Sequence, residues 1–87
     1  MNILPALQHH LNQTTPHKWH SQPIRFGTTT VCQIRTHTKT LYIQITQNDN
    51  TLTIVKETTH HNENRLFGTT IDLLDPEFLT KIHQIIT

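Results

Sequence analysis

Residues 28–57 constrain this chain more than any other stretch. Leu41, Ile43 and Ile45 alternate with Tyr42, Gln44 and Thr46; after a short polar break, Leu52 and Ile54 alternate with Thr53 and Val55. A period of two is the signature of strands that bury one face. Three adjacent strands are expected, Thr28–Thr36, Thr40–Gln47 and Thr51–Glu57. Asn48-Asp49 is the expected tip of the second hairpin, because Asn and Asp tolerate positive φ. That tip sets Ile45 opposite Leu52, Ile43 opposite Ile54 and Tyr42 opposite Val55. Centring the first hairpin on Thr38-Lys39 sets Ile34 opposite Ile43, Cys32 opposite Ile45, Gln33 opposite Gln44 and Arg35 opposite Tyr42. Both hairpins then gather their aliphatic residues on one face, and a one-residue slip would scatter them. The other face carries Val31, Gln33, Arg35, Tyr42, Gln44, Thr46, Thr53 and Val55. It is mostly polar, with the arginine and the tyrosine side by side.

A sheet with one apolar face needs a cover, and the chain supplies two candidate helices. In Ile3–Gln13, Ile3, Leu4, Leu7 and Leu11 fall at helical spacing, and Pro5 is tolerated in a first turn. Asn12, Thr14, Thr15 and Pro16 end that helix. Near the C-terminus Phe78, Leu79, Ile82, Ile85 and Ile86 form an apolar stripe. Asp75 is the expected N-cap, Pro76 the first helical residue, and Glu77 a negative charge where the helix dipole favours one. Between the first helix and the strands, Pro16–Gln22 reads as a polar link and Pro23–Phe26 as a short extended piece, with Gly27 at a bend. Residues 58–65 read as a mobile polar loop, and Arg65–Leu73 as a further strand interrupted at Gly68. A turn on Asn62-Glu63 would set Ile71 opposite Ile54 and Leu73 opposite Leu52. The sum is an α+β fold, α-β-β-β-(β)-α: an antiparallel sheet of three to five strands with both helices packed on one face.

Length and charge narrow the function classes. Eighty-seven residues make one small domain, able to hide roughly 60–65% of its unfolded surface. A hydrophobic fraction of 33% means a thin core. The net charge of +1 does not suggest a dedicated polyanion binder. A single cysteine rules out an internal disulfide and a cysteine-based zinc frame. The segment Met1-Asn2-Ile3-Leu4-Pro5 lacks the basic start and long apolar run of a secretory leader, and no stretch has membrane-spanning length. A reducing, cytoplasmic setting and no membrane partner are the expectations. The chain is rich in Thr, His, Gln and Asn and poor in Gly, Ala, Val, Asp and Glu. The poor set is the one whose codons begin with G, so mutational bias explains much of the histidine and threonine content. Such skew occurs in compact or mobile genomes, which brings a mobile-element inhibitor to mind.

No residue constellation points to catalysis. Of eight histidines, His17-x-x-His20 with His60 or His61 is the best metal candidate, but four ligands at close range and a second shell are lacking. His9 and His10 lie about 100° apart on a helix and point in different directions. Cys32 falls on the expected buried face, where a thiol acts as a small hydrophobe. Asp75 and Glu77 are explained by capping. The threonine runs at 28–30 and 69–70 stand beside no phosphate-cradling loop. The chain is therefore read as non-enzymatic, with no cofactor.

The order α-β-β-β-α is similar to that of double-stranded RNA-binding domains, in topology only. Those domains hold phosphate with lysines at the start of the last helix, where this chain has Asp72, Asp75 and Glu77. A separate nucleic-acid reading uses Tyr42 as a stacking platform with Arg25, Arg35 and Lys39 near phosphates. The favoured expectation is a protein–protein interaction module, whether inhibitor, adaptor or subunit of a larger assembly. It would bind through the polar sheet face or a free sheet edge. The partner-binding candidates are Trp19, Arg25, Arg35, Tyr42 and Gln44, because Trp, Tyr and Arg dominate binding hot spots. For Trp19 the competing reading is closure of the core's edge. A free edge would also allow a homodimer.

Overall fold

The computed structural model describes residues 2–87; Met1, which opens the leader reading, lies outside them. Helix α1 (Leu4–Thr14) is followed by five strands, β1 (His20–Phe26), β2 (Thr29–His37), β3 (Leu41–Asn48), β4 (Thr51–His60) and β5 (Glu63–Asp72), and by helix α2 (Phe78–Ile86). The strands form one antiparallel sheet in sequence order, open at β1 and at β5. The fold is thus α+β, with an α-β5-α order.

Alternation decides the layers. Ile34, Ile43, Ile45, Leu52, Ile54 and Ile71 share one face by register, and all are buried. Leu4, Leu7 and Leu11 of α1 and Ile82 and Ile86 of α2 complete the core from above, with Trp19. Helix α1 packs over β1 and β2, and α2 over β5. The two helices also meet each other: His10 Nε2 and His83 Nε2 lie 2.9 Å apart, with the rings edge to face.

The expected hairpins are present, and each is displaced by one residue. The loops are Lys39-Thr40, Asp49-Asn50 and His61-Asn62, so Ile34 pairs with Ile45, Ile45 with Ile54 and Leu52 with Ile71. Moving a turn by one residue moves the pairing by two, and a shift of two returns every side chain to its face. The apolar pattern fixes only that parity. Local backbone geometry fixes the rest: positive φ occurs at Asp49, and at both His61 and Asn62, as the favoured hairpin turns require.

Two further expectations are corrected. Residues 58–65 do not form a loop: β4 runs to His60, β5 starts at Glu63, and only His61 and Asn62 lie between. Helix α2 starts later than expected, with Glu77 as N-cap and no side-chain cap bond. The Asp75 carboxylate instead accepts from the Glu77 N–H at 2.9 Å and pairs with Lys81. That closes the turn ahead of the helix.

Candidate functional site

The five partner-binding candidates are dispersed. Trp19 is 1% exposed. Its Nε1 donates to Thr15 Oγ1 at 3.0 Å, and its backbone N–H to Asn12 Oδ1 at 2.7 Å. Asn12 and Thr15 at the end of α1 thereby fold the link back and seat the indole in the core. Of the two readings of Trp19, core closure is the one observed, and the side chain offers no surface to a partner.

Arg25 is exposed near the end of β1, opposite Thr30. By register it alternates with Ile24 and Phe26, which puts it on the helix side of the sheet. Arg35, Tyr42 and Gln44 share the open face, but Arg35 pairs with Gln44, and His37 takes the place opposite Tyr42. Arg35 and Tyr42 are therefore diagonal neighbours rather than direct ones. The Tyr42 hydroxyl donates to Gln44 Oε1 at 2.9 Å, and its ring meets His37 edge to face at 5.5 Å between centroids. Gln44 and Gln33 both donate to Thr46 Oγ1, at 3.5 and 3.4 Å. The open face is thus a connected polar ladder whose donors are largely occupied from within. A shallow cleft of about 260 Å³ lies at its Tyr42 end, lined also by His37, Lys39 and Glu57.

The proposed histidine ligands do not converge. His20 opens β1, whereas His60 and His61 sit at the β4–β5 tip, three strands away in the sheet. At about 4.8 Å per strand the separation across the sheet alone is about 14 Å. Among the described residues, no three of His, Cys, Asp and Glu gather at one point. Cys32 is half-buried, paired with Pro23 on β1 rather than facing Ile45, and its sulfur accepts from Asn2 Nδ2 at 3.2 Å. No helix among the described residues is long and apolar enough to cross a membrane.

Two adjacent exposed apolar residues lie elsewhere, on β5, whereas Phe26 at the end of β1 and Leu74 after β5 are exposed singly. Leu66 is 74% exposed and Phe67 52% exposed. By register Phe67, opposite Lys56, is on the helix side, and Leu66, opposite Glu57, is on the open side. The strand is ten residues long. The two-residue hairpin closes on the pair His60–Glu63, which exchanges backbone bonds; alternation then turns the N–H and C=O of Asn64, Leu66, Gly68 and Thr70 away from β4. No backbone group among the described residues meets that outer edge. Neither Leu66 nor Phe67 was among the expected site residues. The signal that finds them is an adjacent apolar pair on a strand, since neighbours point to opposite faces and one helix covers at most one of them.

No protein-family model, no curated protein and no solved structure gives a significant match to the chain. The α-β5-α order also has two more strands than the double-stranded RNA-binding comparison requires.

Proposed function

We propose that the chain is a non-enzymatic, cytoplasmic protein–protein interaction module that acts by strand addition at the outer edge of β5. The observation that carries this reading is the unpaired ten-residue edge with Leu66 and Phe67 exposed on its two sides. An added strand gains main-chain hydrogen bonds from such an edge and specificity from the side chains flanking it. The polar face is the weaker candidate, because the Tyr42, Gln44 and Gln33 side chains already bond one another or Thr46. Nucleic-acid binding has less support still: Arg25 and Arg35 fall on opposite sides of the sheet, and the net charge is only +1. The cytoplasmic setting rests on the lone Cys32.

Affinity capture with and without nuclease tests the reading. The expected result is a partner that survives nuclease, is retained by the double variant Arg35→Ala/Tyr42→Ala, and is lost with Leu66→Lys, which places a guarding charge on the edge. Loss with the double variant and retention with Leu66→Lys would transfer function to the sheet face. A partner set that vanishes with nuclease would transfer it to nucleic acid.

A further inference from the structure

The two edges of the sheet differ in what protects them. On β1, Pro23 pairs with Cys32, outside the hydrogen-bonded positions set by the Phe26–Thr29 closing pair. Its missing N–H therefore falls on the solvent side, and the edge cannot continue a ladder there. Strand β5 contains no proline and no lysine, and carries Gly68 at its middle. Such an edge templates another strand unless something covers it.

We infer that the occupant of the β5 edge is β5 of a second copy of this chain, antiparallel about a two-fold axis at Phe67. The inference rests on the edge reading above and names its partner. Three features of the strand make it complementary to itself in that register. First, Leu66 falls opposite the partner's Gly68, twice over. A Cβ built on Gly68 would meet nothing closer than Ile54 O at 4.0 Å, so the surface there is open to a large neighbour. Second, the two Phe67 rings meet on the axis. Each copy offers a groove of about 530 Å³ beside its Phe67, lined by Lys56, Arg65, Gln84 and Ile85, in which the opposite ring finds apolar and cation–π contacts. Third, no like charges are opposed: Arg65 falls opposite the partner's Thr69, and Glu63 opposite the partner's Ile71. The outward backbone groups of Asn64, Leu66, Gly68 and Thr70 then pair among themselves across the axis. The sheet becomes a continuous one of ten strands with all four helices on one side.

Sedimentation equilibrium of the full chain over a concentration series tests this directly. The expected result is a monomer–dimer equilibrium whose dissociation constant rises at least about tenfold with Phe67→Glu. That substitution suits the monomer, because position 67 faces Lys56, and it opposes two carboxylates only in the dimer. An unchanged unfolding midpoint at low concentration verifies the monomer. The register is read by oxidation of two single variants. Phe67→Cys should form an intermolecular disulfide between the introduced thiols faster than Leu66→Cys, whose thiols stand two residues out of register. A monomer at every concentration overturns the inference, as does a dimer indifferent to Phe67→Glu or a faster link at position 66. If the chain is monomeric yet a partner is still captured and then lost with Leu66→Lys, only the homodimer fails. Capture indifferent to Leu66→Lys ends the edge reading as well.

Discussion

The first and last strands occupy equivalent places in the sheet and are built in opposite ways. Strand β1 is seven residues long, interrupted by Pro23, and anchored at its start by Trp19 under α1. The Trp19 carbonyl accepts from Gln8 Nε2 at 3.0 Å, and the Lys18 carbonyl from Thr36 Oγ1 at 2.8 Å. Strand β5 is three residues longer and free of proline; both strands are exposed along most of their length, β1 with no buried residue and β5 with Ile71 alone. The difference teaches that one proline, rather than burial, is what interrupts a sheet edge here. The β1 edge is interrupted by Pro23 and anchored at its start by Trp19, whereas the β5 edge presents Leu66 and Phe67 side by side on an uninterrupted strand.

Substitutions at the two edges should therefore separate widely. Trp19→Ala empties a fully packed position and should cost about 3–5 kcal/mol. Phe67→Ala, at a half-exposed one, should change the dilute monomer by less than about 0.5 kcal/mol. Urea unfolding measures both, and similar losses would erase the distinction between the edges. The hairpins next to the edges come second. Gly27, between β1 and β2, has φ +61° with nothing within 4 Å of a built Cβ, so Gly27→Ala should cost about 1–2 kcal/mol through backbone conformation alone. His61→Gly, at a positive φ beside β5, should stabilise by up to about 1 kcal/mol. Next, Pro23→Thr restores the missing N–H on β1. The monomer should keep its stability within about 0.5 kcal/mol, while sedimentation should show species larger than a dimer as the second edge opens. An unchanged size distribution would show that Pro23 is not the guard.

The smallest effect concerns the turn between β5 and α2. The Asp75 carboxyl lies below its ordinary value of 3.8, chiefly through the hydrogen bond from Lys81 and then that from the Glu77 N–H. Lys81 lies above its ordinary 10.5 through the same bond. A depressed carboxyl contributes stability that is present above its unfolded value and lost as pH falls through the folded one. A raised lysine contributes stability present below its unfolded value and lost as pH rises through the folded one. The pair should thus stabilise between the two ranges. Asp75→Asn should flatten the acid limb of the unfolding midpoint against pH, without changing self-association.

The same contrast between edge and centre explains what the sequence could tell. Strands β2, β3 and β4 each present alternating Ile or Leu residues to the core, so their existence and their shared face are legible. Their exact pairing is not, because a shift of two residues preserves that face. Strand β1 has no buried residue and β5 has only Ile71. Without burial there is no alternation to read, and Gln22 and Thr58 pass for link and loop. Trp19 is ambiguous for a related reason: its burial depends on Asn12 and Thr15 folding the link back, which no local pattern announces. Leu66 and Phe67 are not legible as a site in the sequence, because an apolar pair is ordinary in a strand and becomes informative only when that strand lies at an edge.

The most direct measurement is amide hydrogen exchange along β5, followed by NMR at two protein concentrations. In dilute solution the outward amides of Leu66, Gly68 and Thr70 should exchange far faster than the inward amides of Arg65, Phe67 and Thr69. At high concentration the outward set should become protected while Gln22 and the other residues of β1 remain unchanged. Outward β5 amides that exchange freely at both concentrations, or that are protected even when dilute, would contradict an edge open to a second chain.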